Sequence, residues 1–225
     1  LFCSSAHHRM TLAHSLADLH RHLDGSLRPS TVVDLAHKAG LTVPDNLLFY
    51  RGMGLNEALS RFAFTVGLLD CPSSIERVAR EIVEDARADG VSTLEIRFAP
   101  QLHDRNDPAR IVDAALTGID GRAGLIVCGL YGEDPRCLME LTQIAAARPG
   151  VVGIDLAGGP HSSHQWTLPD YAFVFQHAAR LGLGRTVHAA EGRSAVEIGI
   201  AIRELGAQRI GHGTTLLSNP DIVAL

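Results

Sequence analysis

The sequence predicts an α/β fold built on a parallel sheet, and three observations carry that prediction. Six short apolar or β-rich runs alternate with longer segments of helical periodicity, and strands separated by helices pair in parallel through crossover connections. The 225 residues are 46% hydrophobic, with a mean hydropathy of +0.10, enough for one large core. Ionisable residues gather at the ends of several apolar runs rather than along them. Six βα units fit either an open doubly wound sheet or an unfinished (β/α)8 barrel.

The elements follow in order. The first strand is expected at Leu16–His22. A long crossover follows, holding helix-like "PSTVVDLAHKAG" and the stretch "LLFYRGMGLNEALSRFAF", which suits a lid. The strongest helix is "SSIERVAREIVEDARADG": Ile75, Val78, Ala79, Ile82, Val83 and Ala86 recur at helical spacing, serines stand at the start, and Gly90 ends it. Strands are then expected at Thr93–Phe98, Leu125–Leu130, Val151–Leu156, Arg185–Ala189 and Gln208–Gly211. The helices between them start "DPARIVDA" and "EDPRCLME", each with proline just inside the first turn. "LPDYAFVFQHAARLGLG" and "GRSAVEIGIAIRELGAQ" repeat the plan. Asn219 and Pro220 open a further helix that stops after about one turn, which reads as a chain lacking its C-terminal part.

Composition excludes some classes. A formal charge of −5 argues against binding nucleic acid through its phosphates. No run reaches membrane-spanning length, and "LFCSSAHHRM" lacks the pattern of a secretory signal. Met10 is the first methionine, so residues 1–15 are expected to be upstream or poorly ordered, with no role for His7 or His8. Cys3, Cys71, Cys128 and Cys137 are scattered without a CxxC pair and read as reduced thiols of a cytoplasmic protein.

The chemistry sits at strand ends. In "DLHRHLDGS", alternation turns His20, His22 and Asp24 one way and Arg21 the other. Two imidazoles at i and i+2 reach one metal, although a lone HxH also fits a polar pair where a strand surfaces. Gly25 allows close ligand approach. "HAAE" and "RIGHGT" bring His188, Glu191 and His212 to the same end of two further strands. In a parallel barrel those ends form one face, where catalytic residues collect. Three histidines suit zinc with an open position for water, pointing to a metal hydrolase.

"HRHLDGSLRP", "LEIRFAP", "GIDLAG", "HAAEG" and "RIGHGT" occur in the order and strand context of the adenosine deaminase family of zinc hydrolases, which the chain resembles from about Leu16 to its last residue. The resemblance implies a TIM barrel of the metal-dependent hydrolase type, with about six of eight βα units present in residues 16–225. It implies Zn2+ held by His20, His22 and His188, with Glu191 as the acid that protonates the purine ring. His212 would orient the attacking water or take its proton. His22 and Asp24 would contact substrate, Asp24 at a ribose hydroxyl, and the Gly158 backbone would meet a purine nitrogen. The implied reaction releases ammonia from adenosine or 2′-deoxyadenosine, a small-molecule nucleoside, with no nucleic-acid or membrane partner. Adenine, an aminodeoxyfutalosine-type nucleoside, and an inactive barrel remnant are the alternatives. The PCxxC of another deaminase architecture is absent.

The chain departs from the pattern in three places. Ala190 stands where the family usually has glycine, an added methyl that removes no chemistry. "GGPHSSHQW" replaces an acidic pair, and His161 and His164 there read as solvated. Strands seven and eight, with an aspartate ligand, are not in the sequence, so the 225 residues alone are expected to be inactive. His37 and His177 lie in helical patterns, Trp166 suits loop packing, and Glu95 and Arg97 suit either an ion pair in the barrel or a site role. "AGG" lacks the companions of a phosphate loop.

Overall fold

Each strand of the protein pairs with its successor. The computed structural model describes residues 16–159 and 163–225. Its strands are β1 (Leu16–His22), β2 (Val91–Phe98), β3 (Gly124–Leu130), β4 (Val151–Ala157), β5 (Gly184–Ala189) and β6 (Arg209–His212). They form one parallel sheet in the order β1-β2-β3-β4-β5-β6. A doubly wound sheet reverses its strand order at a switch point; this one does not. The sheet also curls. His20 on β1 lies 3.2 Å from His188 on β5, yet four steps across a flat sheet would separate them by about 19 Å. Sequential order and strong curvature identify six βα units of a (β/α)8 barrel and remove the doubly wound alternative.

The helices are α1 (Pro29–Lys38), α2 (Leu55–Leu68), α3 (Pro72–Ala88), α4 (Pro108–Ile119), α5 (Pro135–Ala146), α6 (Ala172–Arg180), α7 (Val196–Arg203) and α8 (Pro220–Val223). Proline occupies the first turn of α1, α3, α4, α5 and α8, where its missing N–H costs nothing. Asp107 caps α4 by accepting the Arg110 N–H, and Asp134 caps α5 by accepting that of Arg136. The α3 stripe expected from periodicity is buried at Ile75, Val78, Ala79, Ile82, Val83 and Ala86. Its isoleucines and valines contribute roughly 1.5–3 kcal/mol each.

The core lies between helices and sheet, where α3 meets Leu94, Ile96 and Phe98 of β2. The barrel interior, in contrast, is polar. Arg97 pairs with Asp155 on β4, and Glu95 pairs with Arg209 on β6, so both β2 charges have structural partners across the barrel. The expectations for residues 1–15, including Cys3, His7, His8 and Met10, and for His161 fall outside the described residues. No described helix is long and apolar enough to cross a membrane.

Candidate active site

A cavity of about 410 Å³ opens at the C-terminal ends of the strands. His22, Asp24, Gly158, His188, Glu191 and His212 all line it, and His20 stands directly behind His22 and His188. Every expected site residue is thus gathered at one end of the barrel. The opposite wall is apolar: Leu55, Ala58, Leu59 and Phe62 of α2 cover the cavity, so the stretch expected as a lid lies over it.

The three histidines at its floor are closely matched in distance. His22 Nε2 lies 3.2 Å from His20 Nε2 and 3.0 Å from His188 Nε2, and the His20–His188 pair also stands at 3.2 Å. Three ligand nitrogens around a tetrahedral zinc would stand about 3.3 Å apart. Three nitrogens in a triangle cannot all be satisfied by sharing protons with one another. Burial, aided by Arg97, pushes His20 down to about 2, and burial beside His188 pushes His22 down to about 4, so both present lone pairs at neutral pH. This donor set fits a divalent cation of zinc type. His20, His188 and His212 also bring ring nitrogens within 4.8 Å of one another, a looser group than the His20–His22–His188 triangle.

A second set of residues aims the first. His188 Nδ1 lies 3.0 Å from Asp155 Oδ2, which leaves Nε2 free to face the other imidazoles. Arg97 donates to the same Asp155 oxygen at 2.6 Å and to the Leu19 carbonyl at 2.5 Å. Burial opposes ionisation of Asp155, but His188 and Arg97 outweigh it and hold the carboxyl well below the usual range. Tyr131 donates its hydroxyl to the His188 carbonyl at 2.9 Å. Sequence reading did not single out Asp155 or Tyr131. A charge inside the apolar run "VVGIDLA" was the available signal for Asp155, because a carboxylate buried in a strand needs a partner.

Gly211 and Gly25 are tight approaches. A Cβ on Gly211 would stand 2.6 Å from His20 Cε1, so the glycine of "RIGHG" makes room for the His20 ring. A Cβ on Gly25 would meet Phe62 at 2.6 Å. The space at Gly25 is therefore taken by the lid, not left for a ligand, as had been expected. The β1 register shifts between Asp18 and Arg21, and Asp24 lies past the strand end, so the turn and not simple alternation brings Asp24 to the cavity.

Glu191 Oε2 stands 3.6 Å from His212 Nε2 in the cavity wall. Burial lowers His212, against the pull of Glu191. His212 (φ 67°) and Ala190 (φ 57°) both take the left-handed backbone conformation that sharply turns the chain where β6 and β5 end. Asp24 is 2% exposed, and its Oδ1 has no hydrogen-bond partner, while its Oδ2 lies 3.5 Å from His103 Nε2. Other histidines stay apart. His164 packs its ring over Gly132, His37 is exposed at the end of α1, and His177 bonds to Arg180 on α6. Trp166 packs against the core.

The family model described as adenosine deaminase matches residues 15–225. An adenosine deaminase from Erwinia tasmaniensis is 35% identical over 92% of this chain and 68% of its own length. The crystal structure of an adenine deaminase from Arthrobacter aurescens superposes with a TM-score of 0.77 at 25% identity, covering 93% of this chain and 68% of that one. An amidohydrolase from Burkholderia ambifaria with bound Zn superposes with a TM-score of 0.78 at 24% identity over 93% of this chain and 62% of that one, a likeness of fold. The chain spans 63–68% of the length of the first curated relatives it matches.

Proposed function

Because the chain belongs to the adenosine deaminase family, we propose that it carries the catalytic machinery for zinc-dependent hydrolytic deamination of a purine nucleoside, adenosine or 2′-deoxyadenosine. Water replaces the exocyclic amine, giving inosine or 2′-deoxyinosine and ammonia. One observation carries the reading: the tight His20–His22–His188 triangle faces Glu191 and His212 in one cavity. Residues 16–225 are the deaminase part, and the proposed setting is the cytoplasm, with a free nucleoside as partner.

Zinc held by His20, His22 and His188 would lower the pKa of a water from about 15.7 toward about 7 and polarise the reacting centre. The chain's own residues do the rest. His212, kept neutral by burial, accepts the proton of the attacking water. Glu191, on the same side of the cavity, gives a proton to the purine ring nitrogen next to the carbon under attack, which spares that ring a negative charge. Asp24 accepts a hydrogen bond from a ribose hydroxyl through its unpartnered Oδ1. Gly158 brings backbone against the base, and Leu59 and Phe62 exclude water behind it.

The test is turnover of adenosine by the zinc-loaded full-length protein, because the 225 residues alone are expected to be inactive, followed by ammonia release and the ultraviolet change from adenosine to inosine. Glu191→Gln is expected to lower kcat roughly 100-fold or more with zinc retained; near-normal turnover would remove Glu191 from the mechanism. Adenine is the second reading, favoured by the Arthrobacter adenine deaminase. A ribose hydroxyl for Asp24 to meet exists in a nucleoside and not in free adenine. Asp24→Ala should therefore weaken nucleoside more than adenine, and equal effects on both would favour adenine.

A further inference from the structure

Ala190 occupies a backbone conformation that suits glycine. Its φ is 57°, and the turn it makes carries Glu191 from the end of β5 to the cavity. L-residues other than glycine enter this region at a cost, so something must hold the turn. Glu197, in the first turn of α7, does so directly: its Oε2 accepts the Ala190 N–H at 2.8 Å. The same carboxylate takes the Arg193 Nε at 2.8 Å through Oε1 and 3.1 Å through Oε2. Arg193 in turn lies 5.8 Å over the ring of Tyr131, whose hydroxyl reaches the His188 carbonyl. From the other side Thr214 donates to the Ala190 carbonyl at 2.8 Å and accepts the Gly192 N–H at 2.9 Å. The peptide carrying Ala190 is thus gripped at both ends, and the grip on its N–H comes from a carboxylate that no part of the mechanism above uses.

We propose that Glu197 is a positioning residue, a clamp that holds the left-handed Ala190 turn and so keeps Glu191 aimed at the purine. It acts through the backbone and touches no substrate. The inference rests on the reading of Glu191 as the acid. An alternative exists on the same contacts: Glu197 could be only a helix-end ion pair for Arg193, stabilising the fold at large. The two differ in what a glycine at position 190 does. Glycine takes φ near 57° freely, so a clamp becomes dispensable there, whereas an ion pair for Arg193 keeps its full value.

The experiment is a double-mutant cycle of Glu197→Ala and Ala190→Gly in the full-length protein, read by kcat, KM and amide hydrogen exchange. Glu197→Ala is expected to lower kcat about tenfold with KM nearly unchanged, the scale of one charge-assisted hydrogen bond. In the Ala190→Gly background the same change is expected to cost about twofold or less. Exchange of the Ala190 amide should speed about tenfold in Glu197→Ala and stay slow in Glu197→Gln, which keeps an acceptor oxygen. Equal loss of kcat in both backgrounds, or an Ala190 amide indifferent to Glu197→Ala, would overturn the clamp. If Glu197→Ala does not fold, Ala190→Gly must restore folding to it; a double variant that stays unfolded also overturns the clamp. Absence of turnover in the unmutated full-length protein would instead refute the deaminase reading, and the exchange measurement would still decide the role of Glu197.

Discussion

Asp155 has no solvent exposure and no role in touching substrate, yet His188 depends on it. Its carboxylate lies against His188 Nδ1 and takes the Arg97 guanidinium, so it sets both the tautomer and the direction of His188. Asp155→Asn is expected to weaken zinc binding about 10- to 100-fold, measured by competition with a chelator, while His188→Ala abolishes stoichiometric zinc. Retention of full zinc by His188→Ala would remove that histidine from the ligand set. Asparagine is the sharper probe, because it nearly preserves volume and leaves the Arg97 charge buried without its counter-ion. A loss of folding rather than of metal would then assign Asp155 to the barrel interior alone.

At the level of elements, the site depends on close approaches between strands and helices. β1 and β6 share the floor of the cavity only because Gly211 leaves space for the His20 ring. Gly211→Ala should therefore displace His20 and reduce zinc occupancy while the helical circular dichroism stays intact; a variant with unchanged metal content would show that the ring has another place to go. The helix α3 supports β2 from outside. Ile82 is 4% exposed in the main core, and Ile82→Ala should cost about 2–5 kcal/mol of stability, read by denaturant unfolding, without altering metal affinity per folded molecule. The two substitutions separate what shapes the site from what holds the barrel wall.

The whole molecule is a strongly curved sheet whose first and last strands each pair on one side only among the described residues. On β1, Leu16 and Leu19 are 43% and 36% exposed at that edge. Unpaired strand edges with exposed apolar groups template association. A polypeptide of residues 16–225 by itself is expected to form oligomers and bind a hydrophobic dye; light scattering on size-exclusion chromatography reads this directly. A monodisperse monomer without dye binding would mean that the polar interior, with its Glu95–Arg209 and Arg97–Asp155 pairs, seals the edge unaided.

Much of this was present in the sequence, for local reasons. Period-two and period-3.6 patterns, proline at helix starts and glycine at helix ends are properties of short segments, so the strands and most helices lie within a residue or two of where the chain predicts them. The histidines, Glu191 and Asp24 were legible because strand ends of a parallel sheet share one face. Periodicity alone left open whether six βα units open out or curl, because that depends on which strands pair, a contact between segments far apart in the chain; the barrel was implied only by the motifs' resemblance to a family. Two things were not legible. That Asp155 orients His188 depends on two strands lying side by side in one register. That Glu197 holds the Ala190 N–H depends on where α7 begins relative to the β5 turn. Periodicity and caps act over a few residues, while curvature, register and the aiming of one side chain by another arise only when distant segments pack.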